Sequence, residues 1–238
     1  MQNYWDSIYE HLPLVYDPSK VEFKDLFDQY LPHGGSCFEV GCYPGRYLSY
    51  LCKNFGYLAN GIDSTPYTLS RLPTFLKENG IEIGELFCED FLTFCRLNSF
   101  DIVCSFGFVE HFVNYEGIIL KEIQLVNSSG ILVQSCPNYN GLQRILHKIF
   151  NPVNLNRHFP AAMNLHNWES ILVNNGMTIL YQGYYRTADF WVEPSEQSRL
   201  SGKLARMIQL LSKAIDRRVN FPNPIFSPYM ISISRKEK

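Results

Sequence analysis

The chain has 238 residues, 46% of them hydrophobic and 18% charged, with a net charge of −2. That balance supplies enough apolar side chain for one well-filled core and excludes the basic face of a nucleic-acid binder, so a small-molecule partner is expected. Seven cysteines, none in a C-x-x-C pair, argue against a disulfide framework or a zinc knuckle; in apolar runs such as DIVCSF they read as small hydrophobes of a reducing compartment. The start, MQNYWDSIYEHLP, carries Asp6 and Glu10 instead of a basic then apolar leader, and no uncharged apolar stretch is long enough to span a bilayer. A cytoplasmic protein without stable membrane insertion is expected.

Short apolar runs alternate with amphipathic segments, the pattern of a parallel sheet covered by helices on both faces. After helical turns up to residue 35, strands are expected at Ser36 to Val40, Leu58 to Ile62, Ile83 to Phe87, Phe100 to Ser105, Gly130 to Ser135, Met177 to Gln182 and Pro228 to Ser234. Helices are expected at Gly45 to Asn54, Pro66 to Asn79, Phe91 to Arg96, Glu110 to Asn127, His166 to Asn175 and Ser195 to Arg218. Gly80 and Gly176 directly follow two of these, as helix-ending glycines do. Residues 183 to 227 are too many for a hairpin and read as an insertion with its own helix.

In a doubly wound sheet the ligand lies where the carboxyl ends of the strands meet the first strand-to-helix turn. FEVGCYPGRYL, residues 38 to 48, occupies that place: Gly41 and Gly45 bracket a tight bend, Pro44 suits a helix start, and the helix that follows points free N–H groups at a ligand. Glu39 lies inside the motif, Asp63 ends the second apolar run and Asp90 follows the third. Parallel strands put their carboxyl ends on one side, so these three carboxylates share a rim that suits the hydroxyl and amine donors of a nucleoside, or a cation, and repels phosphate. Tyr43 stands where such turns usually carry a middle glycine. It is tolerated if φ there is negative and no ligand atom meets the Cβ, so its ring is expected to point away from the ligand or over its edge.

EVGCYPG, Asp63, EDF at 89 to 91 and FDIVCSFGFVEHF together resemble the class I S-adenosylmethionine-dependent methyltransferases, over residues 36 to 136 in detail and elsewhere in element order. The resemblance implies an α/β, Rossmann-like, doubly wound sheet of seven strands, mostly parallel with an antiparallel last strand, and helices on both faces. It implies a single methyltransferase domain over 1–238: an N-terminal helical cap at 1–35, a cofactor-binding core at 36–182, a helical insertion on the substrate side at 183–227, and the last strand and tail at 228–238. The implied cofactor is S-adenosylmethionine, with S-adenosylhomocysteine as product. By position, Glu39 and the turn residues Gly41, Cys42, Tyr43 and Gly45 belong near its methionine moiety, Asp63 with Ser64 at the ribose hydroxyls, Asp90 with Phe91 at the adenine, and the backbone of Ser105 and Phe106 at the methionine amino group. A nicotinamide cofactor is disfavoured, because G-x-G-x-x-G is absent and Glu39 would oppose a pyrophosphate.

If the methyl acceptor is a hydroxyl, a base must take its proton. His111, in VEHF after the fourth strand, is the first candidate, since the resemblance places that strand end beside the transferred methyl; Glu110 is a lesser one. His158, in NLNRHFP after the fifth strand, is the second, as a base or a substrate ligand. His147 and His166 read as helix-surface residues. Metal-dependent O-methyltransferases of this fold carry Asp after the fourth strand and an Asp-Asn pair after the fifth. This chain has Ser105 and Cys136-Pro137-Asn138 there, so no metal is expected. Enzymes that methylate nucleobase amines carry an Asn/Asp-Pro-Pro-aromatic motif where this chain reads SFGF, so nucleic acid is not the expected acceptor.

The aromatic segments NYWDSIYEHLPLVY and GYYRTADFWVEP either wall the substrate pocket or pack as a satellite core around Tyr4, Trp5, Tyr9, Phe190 and Trp191. Along residues 199 to 218, Leu200, Leu204, Met207, Leu211 and Ile215 form one stripe amid six basic residues and a lone Asp216. Either that stripe packs on its own domain, or it makes peripheral contact with a membrane surface or an anionic substrate. The reading reached from the sequence is methyl transfer to a small-molecule hydroxyl, of sugar or secondary-metabolite type. Its rival is a non-catalytic cofactor-binding regulator or scaffold in which Tyr43 closes the site.

Overall fold

The computed structural model describes residues 2–96, 99–190 and 199–238. Seven strands, β1 (Ser36–Val40), β2 (Leu58–Asp63), β3 (Ile83–Cys88), β4 (Phe100–Phe106), β5 (Val126–Pro137), β6 (Met177–Tyr185) and β7 (Tyr229–Lys236), form one sheet in the order β3-β2-β1-β4-β5-β7-β6. The pairs from β3 to β5 are parallel, and β7 runs antiparallel to both its neighbours. Successive strand residues enter opposite covers, as the two-residue period of a strand requires. Cys37, Ile102, Cys104 and Ile131 join one core with Phe27, Leu48 and Leu51, whereas Phe38, Val103 and Leu132 join another with Ile119, Trp168 and Leu172. This is the Rossmann-like, doubly wound arrangement that the sequence implies. All seven cysteines are free thiols.

The helices are α1 (Gln2–Tyr9), α2 (Lys24–Tyr30), α3 (Arg46–Phe55), α4 (Tyr67–Ser70), α5 (Leu72–Glu78), α6 (Tyr115–Leu125), α7 (Leu142–Phe150), α8 (Pro152–Leu155), α9 (Leu165–Asn174) and α10 (Arg199–Asp216). Arg186 fastens the insertion between β6 and β7 to the N-terminal segment, pairing with Glu22 at 3.3 Å, with Asp216 at 3.6 Å and with Asp189.

Several expected elements take another form. The expected helix at Pro66 to Asn79 splits into α4 and α5 at Arg71 (φ −126°, ψ −41°), because Pro73 in the first turn of α5 has no N–H to give to the preceding turn and its ring crowds the carbonyl four residues back. No helix forms at Phe91 to Arg96: the Asp90 carboxylate accepts from the Leu92 amide (2.9 Å) and its carbonyl from the Thr93 and Phe94 amides (3.0 Å each), which closes an isolated turn. The helix expected from Glu110 starts only at Tyr115, behind the Asn114 cap, and is preceded by a 3-10 turn at Val109–His111. Helices α7 and α8 lie in the connection after β5, where the expected elements include no helix. His147, expected on a helix surface, is fully buried on α7. On α10 the burial is inverted, with Ala205 and Ser212 inward and Leu204, Met207, Leu211 and Ile215 exposed. Trp191 and the expected helix start at Ser195 to Ser198 lie outside the described residues, as do the side chains of Tyr4 and Leu200.

Trp168 fills the second core completely and donates its indole N–H to the Ala162 carbonyl (2.7 Å). Trp168→Ala is expected to lose about 3–5 kcal/mol of stability, read as a shift in urea unfolding midpoint.

Candidate functional site

The turn after β1 is tied to the tip of β2 by its own backbone. The amides of Gly41 and Cys42 both donate to the Ile62 carbonyl (2.8 and 3.1 Å), and the Gly45 amide closes the bend on the Cys42 carbonyl (2.7 Å). Gly41 has φ +74°, and a Cβ there would lie 2.8 Å from the Phe108 ring, so only glycine fits. Tyr43 is not among the residues with positive φ. Its buried ring packs against Tyr9 (4.8 Å between centroids) and Tyr67 (5.9 Å), while its amide donates to the Asp63 carboxylate (3.2 Å). The tyrosine thus replaces a glycine without strain and becomes part of the wall.

A cleft of about 400 Å³ opens at this turn, lined among others by Glu39, Gly41, Tyr43, Arg46, Tyr47 and Phe106. Its size falls within the ~300–1,000 Å³ usual for small-ligand sites. A larger cleft of about 810 Å³ lies at the other end of the sheet, between Tyr30, Ser129, Thr178 and Arg235. That end holds the amino ends of the parallel strands, away from the rim where ligands of open α/β sheets bind.

The Glu39 side chain is buried and its Oε2 has no hydrogen-bond partner among the described residues; burial above all pushes this carboxyl well up from its usual range. An orphaned acceptor at a cleft wall fits a ligand that brings a hydrogen-bond donor or a positive charge. Asp63 is held by the Thr65 (3.0 Å) and Tyr43 amides, and burial raises it to about 6 despite those two bonds. Each of its oxygens keeps a lone pair for a further donor. Asp90 is exposed, and its carboxylate accepts from the Leu92 amide. Glu39, Asp63 and Asp90 thus follow one another along the carboxyl ends of β1, β2 and β3. Ser64 is exposed; Ser105 is buried at the end of β4; Phe106 lines the cleft and stacks on Tyr47 (3.8 Å). Phe91 lies in the second core beside Phe94 and Phe108, off the lining of the cleft.

Beyond β4, two separate segments are zipped together. The Phe159 amide donates to the Glu110 carbonyl (2.8 Å), and His111 Nδ1 bonds the Arg157 carbonyl (3.1 Å). This brings the rings of His111 and His158 to 4.6 Å. His158 Nδ1 bonds the Asn154 carbonyl (2.8 Å). A carbonyl only accepts, so each Nδ1 carries the proton and each Nε2 keeps its lone pair. Burial lowers both imidazoles, His158 to about 4 with the adjacent His111 adding to the effect, so both are neutral at pH 7. The neighbouring Glu110 carboxyl is buried and raised to about 8, chiefly by desolvation. Glu110, His111 and His158 present ligand atoms within 4.8 Å of one another, close enough to hold a cation as well as to relay a proton.

α1 roofs this region. Trp5 meets the His111 ring (5.7 Å) and stacks on Tyr9 (5.8 Å), which in turn meets Tyr43, so one aromatic chain runs from the histidine pair to the glycine turn. The Arg71 guanidinium anchors the end of α1 by donating to the carbonyls of Tyr9 (2.9 Å), Glu10 (3.3 Å) and Leu12 (2.8 Å). Phe190 packs elsewhere, with Leu146 and Phe150. Arg71, Arg46, Tyr47 and Tyr139, whose ring meets His158 at 4.8 Å, are site residues that the sequence does not single out. Only Arg46 and Tyr47, next to Gly45, carry a local signal.

A family model described as a methyltransferase domain matches residues 18–183. Among solved structures, the N-methyltransferase NodS from Bradyrhizobium japonicum, in complex with S-adenosyl-L-homocysteine, aligns over 99% of this chain and 98% of its own, at 11% identity and TM-score 0.56. MccD aligns over 93% and 99%, at 15% identity and TM-score 0.62. The plantazolicin methyltransferase BpumL, in complex with a triazolic desmethylPZN analogue and SAH, aligns over 90% and 80%, at 16% identity and TM-score 0.55. At these identities the likeness is one of fold, and no curated protein matches the chain. The family match spans most of the chain and takes in the glycine turn, the Asp63 strand end and the histidine pair: the chain belongs to the methyltransferase-domain family, as a class I S-adenosylmethionine-dependent enzyme.

Proposed function

We infer that the chain transfers a methyl group to a hydroxyl of a small molecule and that the His111–His158 pair takes up the hydroxyl proton. The observation that carries this reading is the fixed tautomer of the two rings, with both Nδ1 atoms on backbone carbonyls and both Nε2 atoms left as acceptors. Bound S-adenosylmethionine supplies a methyl group on a sulfonium, an electrophile that needs no further activation. The orphaned Glu39 oxygen, the Gly41–Gly45 turn and Asp63 are the groups that would hold it, and Asp90 lies further along the same rim. The chain's own work is then to orient the acceptor and keep water out, through the aromatic cover of Trp5, Tyr9 and Tyr43. An amine acceptor already neutral at pH 7 would need no base, and the built pair of neutral imidazoles favours oxygen.

The direct test is transfer of labelled methyl to a panel of hydroxyl and amine acceptors; binding of S-adenosylhomocysteine with no transfer to any of them would leave the scaffold reading standing. Asp63→Ala is expected to weaken S-adenosylhomocysteine binding by about 1–3 kcal/mol in calorimetry, through lost hydrogen bonds. His111→Asn and His158→Asn are expected to lower kcat by ~10²–10⁴-fold for whichever ring is the base, with cofactor affinity retained. Both imidazoles titrate below the ordinary histidine value of 6.5 and work in the neutral form. The rate should therefore be flat at neutral pH and fall only on acidification below that value. EDTA should leave the rate unchanged, whereas loss of activity restored by a divalent cation would reassign Glu110, His111 and His158 as metal ligands.

A further inference from the structure

The outer faces of α7 and α10 carry what a folded interior should hold. On α10 the large apolar side chains Leu204, Met207, Leu210, Leu211 and Ile215 face out, Leu211 at 57% exposure, while the inward positions are the small Ala205 and Ser212. α7 packs against it through Leu146 and Phe150, in one cluster with Ala205 and Ile208, and turns Ile145 and Ile149 outward. The segment after α10 continues the surface. It exposes Phe221 and Phe226, and the Ile225 carbonyl accepts the first amide of α7 (2.7 Å), which places the loop beside that helix. Exposed apolar side chains on three adjoining segments exceed the scattered singles of an ordinary surface.

Cations frame them. Lys203, Arg206, Lys213, Arg217 and Arg218 are exposed on and just after α10, and Arg144 and Lys148 on α7; among the described residues none of the seven is paired with a carboxylate. The one acid of α10, Asp216, is turned inward to the Thr187 amide and Arg186. Six of the 21 basic residues but one of the 23 acidic ones fall in residues 199–218, so a window at +5 sits in a chain at −2. Around the helix, the cations at 203, 206, 213 and 217 lie along one side of the apolar arc of 204, 207, 211 and 215, so a basic face adjoins an apolar one, as in a helix lying in a bilayer interface. Among the described residues no helix is long and apolar enough to cross a membrane.

We propose that α7, α10 and the 219–226 segment form a docking face for the surface of an anionic lipid bilayer. A second copy of the chain fits poorly, since a self-complementary contact would press unpaired cations against cations. Anionic headgroups neutralise the cations while the exposed leucine, isoleucine and phenylalanine side chains enter the acyl boundary. The inference is independent of the methyl acceptor. Its geometry adds a link: Tyr139 lies against His147 on the buried side of α7 (4.6 Å) and against His158 (4.8 Å), so the docking face is the outer side of a helix whose inner side connects to the histidine pair through one ring.

The test is co-sedimentation of the full chain with vesicles of phosphatidylcholine alone and of phosphatidylcholine with phosphatidylglycerol. Binding about tenfold stronger to the anionic vesicles and falling with salt is expected. Leu211→Glu and, separately, the double variant Lys203→Glu/Arg206→Glu should each lose it, with melting temperature and S-adenosylhomocysteine affinity unchanged. Three outcomes would overturn the proposal: no binding to anionic vesicles at low salt; binding that Leu211→Glu leaves intact, which is contact with any polyanion; or a dimer in sedimentation velocity that Leu211→Glu dissolves without vesicle binding.

Discussion

One carbonyl, that of Ile62, takes the amides of both Gly41 and Cys42, and the geometry of the site follows from that shared acceptor. It pins the turn after β1 to the tip of β2, so the next residue of β2, Asp63, comes within reach of the Tyr43 amide. The bend can be this tight because Gly41 adopts a positive φ against the Phe108 ring, where a side chain would collide. β4 continues the pattern one strand over, the Gly107 amide donating to the Ser135 carbonyl on β5. Parallel pairing and two glycine turns thus set carboxylates and histidines along one edge of the sheet.

That edge is dry. Burial, more than any neighbouring charge, raises Glu39, Asp63, Glu110 and Glu122, and lowers His111 and His158. All are shifted toward their uncharged forms, as expected where low polarity penalises charge of either sign. A charged ligand entering such a place meets few competing ions or waters, so each contact it makes counts for more than at the surface. In the proposed reaction this favours a neutral imidazole over the adjoining Glu110 carboxyl as proton acceptor, since that glutamate is held toward the acid form.

The central parallel strands β1 and β4 were legible because most of their residues are buried on both faces and read as largely apolar runs, of which IVCSF within β4 is the clearest. The rim carboxylates were legible because each lies in, at or just past the carboxyl end of such a run. α7 was missed although its apolar residues Leu142, Ile145, Leu146, Ile149 and Phe150 recur at i, i+3, i+4, i+7 and i+8; the structure splits that stripe, turning Leu146 and Phe150 inward with Gln143 and His147 and leaving Ile145 and Ile149 outward. α10 parts from its pattern in the same way. Its stripe is plain in the sequence, but periodicity gives the angle of a face and not what covers it; the helix packs through Ala205 and Ser212. The joining of His111 to His158 rests on the carbonyls of Asn154, Arg157 and Glu110, which carry no side-chain signature.

The fastening of α1 ties the cover of the site to the edge of the sheet. The backbone carbonyls of Tyr9, Glu10 and Leu12, at the end of α1 and just past it, accept from the guanidinium of Arg71, and α1 brings Trp5 and Tyr9 over the histidine pair and the glycine turn. Tyr9 and Leu12 also line the cleft at the glycine turn, so one side chain that does not itself line that cleft braces part of its wall.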